Sequence, residues 1–166
     1  MGSTVAAIQS CVTHSLEENL KNIDHQVKKA KQLGAQLALL PEHAAMGASA
    51  SHGFLHFVES LGAGPVQDSI AFIAKKYAIW LVLGAFPIRM EDGKVYSCSL
   101  LYNSEGQLLE YYGKMHLFDV NIDQQFVSNE SSDFSPGNRV VIVDTPIGRV
   151  GLTICYDLRF PELFRA

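Results

Sequence analysis

Apolar positions along the chain follow two rhythms. Short unbroken runs occur at Val5-Ala6-Ala7-Ile8, at Leu37-Ala38-Leu39-Leu40 and from Ile79 to Phe86. Their length and flanking turn residues predict buried strands. Between the first two runs, Leu16, Leu20, Ile23, Val27, Ala30 and Leu33 recur at helical spacing with lysines on the opposite face. Ser15 and Glu18 form a capping-box pattern before this helix, and Gly34 supplies its stop. Pro65 opens a second helix, with Val66, Ile70, Ile73, Ala74 and Tyr77 on one side.

After the third run the punctuation changes. Glu91-Asp92-Gly93 is a hairpin signal that pairs Ile79–Phe86 with a strand from Val95 to Tyr102. Asn103-Ser104-Glu105-Gly106 is a second turn, leading to a strand from Gln107 to Tyr112. Residues 43–64 and 113–137 are expected as loops, and the second is long enough to point to function. Arg139 to Asp144 and Arg149 to Ile154 read as strands around Thr145-Pro146-Ile147-Gly148, with a new helix beginning at Pro161-Glu162. This order predicts a layered α/β fold with a mixed sheet.

Composition narrows the class. The 166 residues are 48% hydrophobic and 18% charged, which suits one globular domain with a substantial core. A net charge of −4 gives no reason to expect nucleic acid or an anionic membrane as partner. No apolar run reaches membrane-spanning length. The three cysteines, Cys11, Cys98 and Cys155, cannot all pair and form no Cys-x-x-Cys, so reduced thiols in a cytoplasmic protein are the simplest expectation.

Candidate chemistry sits at strand ends. The run Val150-Gly151-Leu152-Thr153-Ile154 leads straight into Cys155, ahead of the helix start at Pro161. A thiol at such a turn lies near helix-terminal N–H groups that favour a thiolate nucleophile, although a buried structural thiol fits the same residue. Cys11 and Cys98 have no such setting and read as structural. Glu42 follows Pro41 at the C-terminal end of an apolar strand, either facing a ligand crevice or exposed as a loop acid. Lys114 lies among aromatics in Tyr111-Tyr112-Gly113-Lys114-Met115-His116-Leu117-Phe118. It is either a pocket ammonium that stabilises an oxyanion or a surface lysine with a buried stem. Glu130 is a further carboxylate in the long loop. His52 and His56 have metal-ligand spacing, but Gly53 argues against a helix there and the acid partner of a metal motif is missing, so no metal site is expected. His116 reads as a residue that orients its loop.

Taken in order, Leu39-Leu40-Pro41-Glu42, Tyr112 to Asp119, and Gly151 to Leu163 resemble the glutamate, lysine and cysteine motifs of the nitrilase superfamily of carbon–nitrogen hydrolases. Glu130, with Pro136-Gly137 downstream, resembles that family's supporting glutamate. The resemblance covers essentially the whole chain. It implies an αββα sandwich, a Glu42–Lys114–Cys155 triad and no cofactor. It further implies that Glu42 is the general base, Cys155 the nucleophile that forms a thioester, and Lys114 the oxyanion partner, aided by the backbone N–H of Tyr156. Glu130 would hold Lys114 in place, and Arg159 would either contact a substrate carboxylate or pair with Asp157 or Glu162.

Within the superfamily, residues 116–120 and 155–163 resemble the amidases that act on deaminated glutathione, with the ω-amidases of α-keto acid amides next. Family resemblance also implies a small-molecule amide substrate and a homodimer. Gly113, where many relatives carry a basic residue, predicts a more flexible lysine loop. Family members continue well past the nucleophile, so residues 1–166 are expected to be the N-terminal portion of a carbon-nitrogen hydrolase domain with the C-terminal part of the sandwich missing. A different class of function, a non-catalytic fragment serving as an interaction partner, follows from the same observation.

Overall fold

A computed structural model describes residues 2–46, 54–122 and 126–166. Strand β1 (Val5–Ala7) leads to helix α1 (Leu16–Gln32) and strand β2 (Leu37–Leu39). A short 3-10 turn (Phe54–Phe57) and β3 (Glu59–Ser60) precede helix α2 (Pro65–Tyr77). Then come β4 (Trp80–Arg89), β5 (Val95–Tyr102) and β6 (Leu108–Gly113). Two further hairpins, β7 (Asp119–Ile122) with β8 (Phe126–Asn129) and β9 (Ile142–Thr145) with β10 (Gly148–Gly151), lead to a 3-10 turn at Cys155–Arg159 and a short helix α3 (Pro161–Arg165).

The main sheet runs β1-β2-β4-β5-β6, with β3 paired to the far end of β4. Its first three strands are parallel, and β4, β5 and β6 are antiparallel neighbours. Side chains alternate between two buried faces along β4. Leu81, Leu83 and Phe86 join Ile23, Val27, Ile70 and Ile73 of α1 and α2 in one core cluster. Val82 and Ala85 point the other way, to a second cluster with Leu37, Leu101, Tyr112, Val141, Leu152 and Ile154. The mixed α/β fold expected from the sequence is therefore present, with α1 and α2 on one side of the sheet and the β9–β10 segment packed against the other.

Local sequence explains the helix ends. Ser15 Oγ accepts from the Glu18 N–H at 3.2 Å. The Glu18 carboxylate accepts from the Thr13 hydroxyl rather than from the backbone of Ser15, so only half of the capping box forms. Glu59 takes over as cap for α2, accepting from Val66 N–H at 2.7 Å and from Gln67 N–H at 3.2 Å.

Three expectations change. Residues 113–137 are not mostly loop: β7–β8 and a 3-10 turn at Glu130–Ser132 lie within them. β7 is only four residues long and largely exposed, too short a stretch to mark a strand in the sequence. The strand leading to Cys155 stops at Gly151, and Leu152 is held instead by its N–H to Val141 O at 3.0 Å. Finally, Gly113 does not loosen the lysine segment. It closes β6 opposite Cys98, the Lys114 N–H donates to Ser97 O at 2.9 Å, and the Gly137 N–H donates to Lys114 O at 2.8 Å.

Candidate active site

Each of the acid, the ammonium and the thiol leaves the end of a different element. Beyond β2 the chain continues through Leu40 and Pro41, and Glu42 bridges Ala85 in parallel register. That crossing requires Gly84: a Cβ there would lie 2.4 Å from Leu40 O and 2.6 Å from Pro41 O. Lys114 directly follows β6. It is gripped from both sides by Ser97 and Gly137, and a Cβ on Gly137 would lie 2.1 Å from Gly113 O. Cys155 opens its 3-10 turn with φ of 47°, a left-handed value that non-glycine residues seldom adopt. His43, next to Glu42, has φ of 61°. Two of the three non-glycine residues with positive φ among the described residues therefore flank this one site, where strained backbone tends to collect.

These elements bring the side chains together. Lys114 is buried, with 2% of its side chain exposed. Its Nζ donates to both oxygens of Glu130, at 2.9 and 2.8 Å, and lies 3.4 Å from Glu42 Oε1. The Glu42 carboxylate acts on the Cys155 thiol, favouring its protonated form. Glu130 Oε2 also accepts from the Phe118 N–H at 2.7 Å, so one carboxylate fixes the lysine and the loop beyond it. Glu42, Lys114, Cys155 and Glu130 thus form one continuous polar cluster.

Its electrostatics are mixed. Burial works against the charge on Lys114, but the Glu130 hydrogen bond and the anionic charge of Glu42 and Glu130 outweigh it, and the lysine titrates above its ordinary value. The Cys155 thiol is pushed up, first by partial burial and then by Glu42, with Lys114 opposing. This departs from the expectation of a helix-stabilised thiolate: the resting group is a thiol beside a carboxylate. The 3-10 turn after Cys155 is a single short segment, and the helix proper begins only at Pro161.

Other candidate residues fall around this cluster. Tyr156 is the second residue of the 3-10 turn, where the leading N–H groups have no acceptor within the turn. Arg159 is solvent-exposed, and among the described residues it makes no ion pair with Asp157 or Glu162. Cys98 is fully buried and its thiol is pushed up to about 12 by burial, as a core residue should be, whereas Cys11 is exposed. His52 lies outside the described residues, and His56 sits in the 3-10 turn at Phe54–Phe57. Among the described residues no three His, Cys, Asp or Glu side chains cluster as metal ligands.

Two functional neighbours were not found from sequence. His43 Nε2 lies 3.7 Å from Glu42 Oε1, and burial holds its imidazole below the usual range despite the adjacent carboxylate. Asp157 is fully buried beneath the cysteine turn. A histidine after Pro-Glu and an aspartate in a turn both read as solvated, and only their tertiary setting shows otherwise. A groove of about 740 Å³ lined by Arg89, Tyr96, Tyr111 and Arg139 contains none of Glu42, Lys114 or Cys155.

Comparison with known proteins places the chain in a family. Residues 4–166 match the carbon-nitrogen hydrolase family, and the chain belongs to it. It is 38% identical over 167 residues to the deaminated glutathione amidase of Yersinia enterocolitica, covering 99% of this chain and 58% of that protein. It is 39% identical over 164 residues to the human deaminated glutathione amidase, covering 96% of this chain and 50% of that protein. The fold matches that of Saccharomyces cerevisiae Nit3, a member of branch 10 of the nitrilase superfamily, with a TM-score of 0.79 and 30% identity over 96% of this chain and 57% of the other. The chain thus spans about half the length of the curated relatives it matches. No helix among the described residues is long and apolar enough to cross a membrane.

Proposed function

We propose that residues 1–166 are the N-terminal portion of an amidase that hydrolyses a small carboxylate-bearing amide of the deaminated glutathione type through a thioester on Cys155. The observation that carries this reading is the convergence at one carboxylate: Glu42 favours the protonated Cys155 thiol, and a buried ammonium lies 3.4 Å from the same group.

The reaction follows from those contacts. Glu42 takes the Cys155 proton as sulfur attacks the amide carbonyl carbon, so the thiol need not ionise beforehand. Negative charge develops on the carbonyl oxygen. Lys114 and the N–H of Tyr156 stabilise it, in a setting where the ammonium is already desolvated and held by Glu130. The proton on Glu42 passes to the leaving nitrogen, the C–N bond breaks, and ammonia or an amine departs. Glu42 then activates water against the thioester, and the carboxylic acid leaves as the thiol is restored. Because Arg159 is exposed and unpaired with its neighbouring acids, it is available to a substrate carboxylate. Family membership supports a homodimer, and the reduced cysteines support a cytoplasmic setting.

The test is hydrolysis of deaminated glutathione and of α-keto acid amides by the purified protein. Wild type is expected to release product from the first substrate faster, and Cys155→Ala to lose turnover while keeping its circular dichroism. Turnover at the wild-type rate in Cys155→Ala ends this reading.

A further inference from the structure

The Lys114 and Cys155 segments are joined by a carboxylate that takes no part in the reaction described above. Asp157 has no solvent exposure. Its Oδ2 accepts from the Tyr112 hydroxyl at 2.7 Å and from the Ile154 N–H at 3.0 Å. Its Oδ1 accepts from the His116 N–H at 3.0 Å and lies 2.7 Å from His116 Nδ1. Ile154 immediately precedes the nucleophile, while Tyr112 and His116 stand two residues either side of Lys114. Four contacts from two chain segments therefore meet on one buried group. The same segments are also pressed together by rings: His116 stacks on Phe160 with centroids 3.6 Å apart, and Phe118 meets Tyr156 edge-on at 4.9 Å.

We propose that Asp157 is a positioning residue, which fixes the separation and orientation of Cys155 relative to Lys114 and Glu42; this rests on the amidase reading above. The cysteine stands at φ of 47°, so its turn needs an outside restraint to stay in register. The bond from the Ile154 N–H supplies it on the cysteine side, and the bonds from Tyr112 and His116 tie that restraint to the lysine side. Displacement of a reacting group by about 1 Å can cost on the order of 100-fold in rate, which sets the scale of the expected effect.

Asparagine separates this role from simple packing, because it has the same shape but one acceptor fewer. If its amide nitrogen replaces Oδ1 it faces the His116 N–H, and if it replaces Oδ2 it faces the Ile154 N–H. In either orientation one side of the clamp is lost. Tyr112→Phe removes one of the four contacts on Asp157, together with the 3.3 Å bond from the Met115 N–H to the Tyr112 hydroxyl, and it serves as the milder variant.

The experiment uses the purified protein and measures kcat, KM and melting temperature for wild type, Asp157→Asn and Tyr112→Phe. It adds the pH dependence of Cys155 alkylation by iodoacetamide, in a Cys11→Ser background so that the exposed second thiol is silent. The groups facing the Cys155 thiol are Glu42, Lys114 and Glu130. Asp157→Asn is expected to lower kcat by roughly 100-fold with KM within about threefold. It should also move the alkylation midpoint down towards that of an ordinary thiol, as sulfur leaves Glu42 and gains solvent. Tyr112→Phe should show the same pattern at about one tenth of the size, with a melting temperature close to wild type. An unchanged kcat in both variants overturns the proposal. So does a loss of activity that tracks only a lowered melting temperature while the alkylation midpoint of the folded protein stays put. Failure of the amidase reading shows separately, as full turnover in Cys155→Ala.

Discussion

Replacing Glu130 with glutamine tests how much of the site's order depends on one ion pair. Lys114 Nζ lies 2.8 Å from Glu130 Oε2 and 3.4 Å from Glu42 Oε1. With an effective dielectric of about 20, these separations correspond to gross attractions of about 6 and about 5 kcal/mol, before desolvation is subtracted. Glutamine keeps the shape of Glu130 but loses its charge. With its oxygen kept at the Oε2 position, where it serves both Lys114 and the Phe118 N–H, its amide nitrogen is turned against the Lys114 ammonium. Removing one partner of a buried pair costs roughly 3–5 kcal/mol, and a retained hydrogen bond brings the expected loss to about 3 kcal/mol. For a domain of this size that is a fall in melting temperature of roughly 6–12 °C.

The pH dependence carries the sign. In the folded protein Lys114 titrates above its ordinary value of 10.5. The raised value contributes stability that is complete below the unfolded value and lost as pH rises through the folded one. Without the Glu130 charge, burial gains ground and the folded value falls. The alkaline loss of stability should therefore begin at lower pH in Glu130→Gln. Denaturant melts at neutral and alkaline pH measure both effects. A change below about 1 kcal/mol, with an unmoved alkaline limb, refutes the reasoning.

Two other outcomes follow from the same geometry. Gly84→Ala drives a methyl into Leu40 O and Pro41 O, so it should destabilise the protein by about 2–4 kcal/mol and lower kcat by displacing Glu42, as read by melts and steady-state kinetics. Thiol labelling followed by peptide mass spectrometry should find Cys98 inert at pH 8 until unfolding, and Cys155 titrating above an ordinary thiol, with Glu42→Gln lowering that midpoint.

Much of this protein is legible without coordinates because its periodicities are strong. The α1 stripe, the Pro65 start of α2 and the Asp92-Gly93 turn each have a local cause, and each element forms within a few residues of its expected bounds. The acid, lysine and cysteine can be picked out as candidates because they follow apolar runs in an order that resembles the family's motifs. What escapes is whatever depends on distant chain. Among the described residues the β7–β8 strands pair only with each other, and Asp119 and Glu130 tie them down through side-chain bonds to the Ser131 and Phe118 N–H groups. Lys114 among its aromatics fits either a pocket ammonium or a surface lysine in sequence, because its burial needs Glu130 sixteen residues away. Asp157 looks like a surface acid until Tyr112 and His116 arrive from 45 and 41 residues upstream. The raised thiol of Cys155 is likewise set by burial first and then by Glu42, far off in the chain.

The central claim concerns a covalent bond between Cys155 and the acyl half of an amide. Rapid acid quench of the protein with deaminated glutathione, followed by intact mass and peptide mapping, reads that bond directly. The expected result is a mass increase equal to the acyl group without its amine, confined to the peptide containing Cys155, absent in a folded Cys155→Ala variant and accumulating less in Glu42→Gln. Turnover with no adduct on that peptide in wild type, together with product release by Cys155→Ala, contradicts the account.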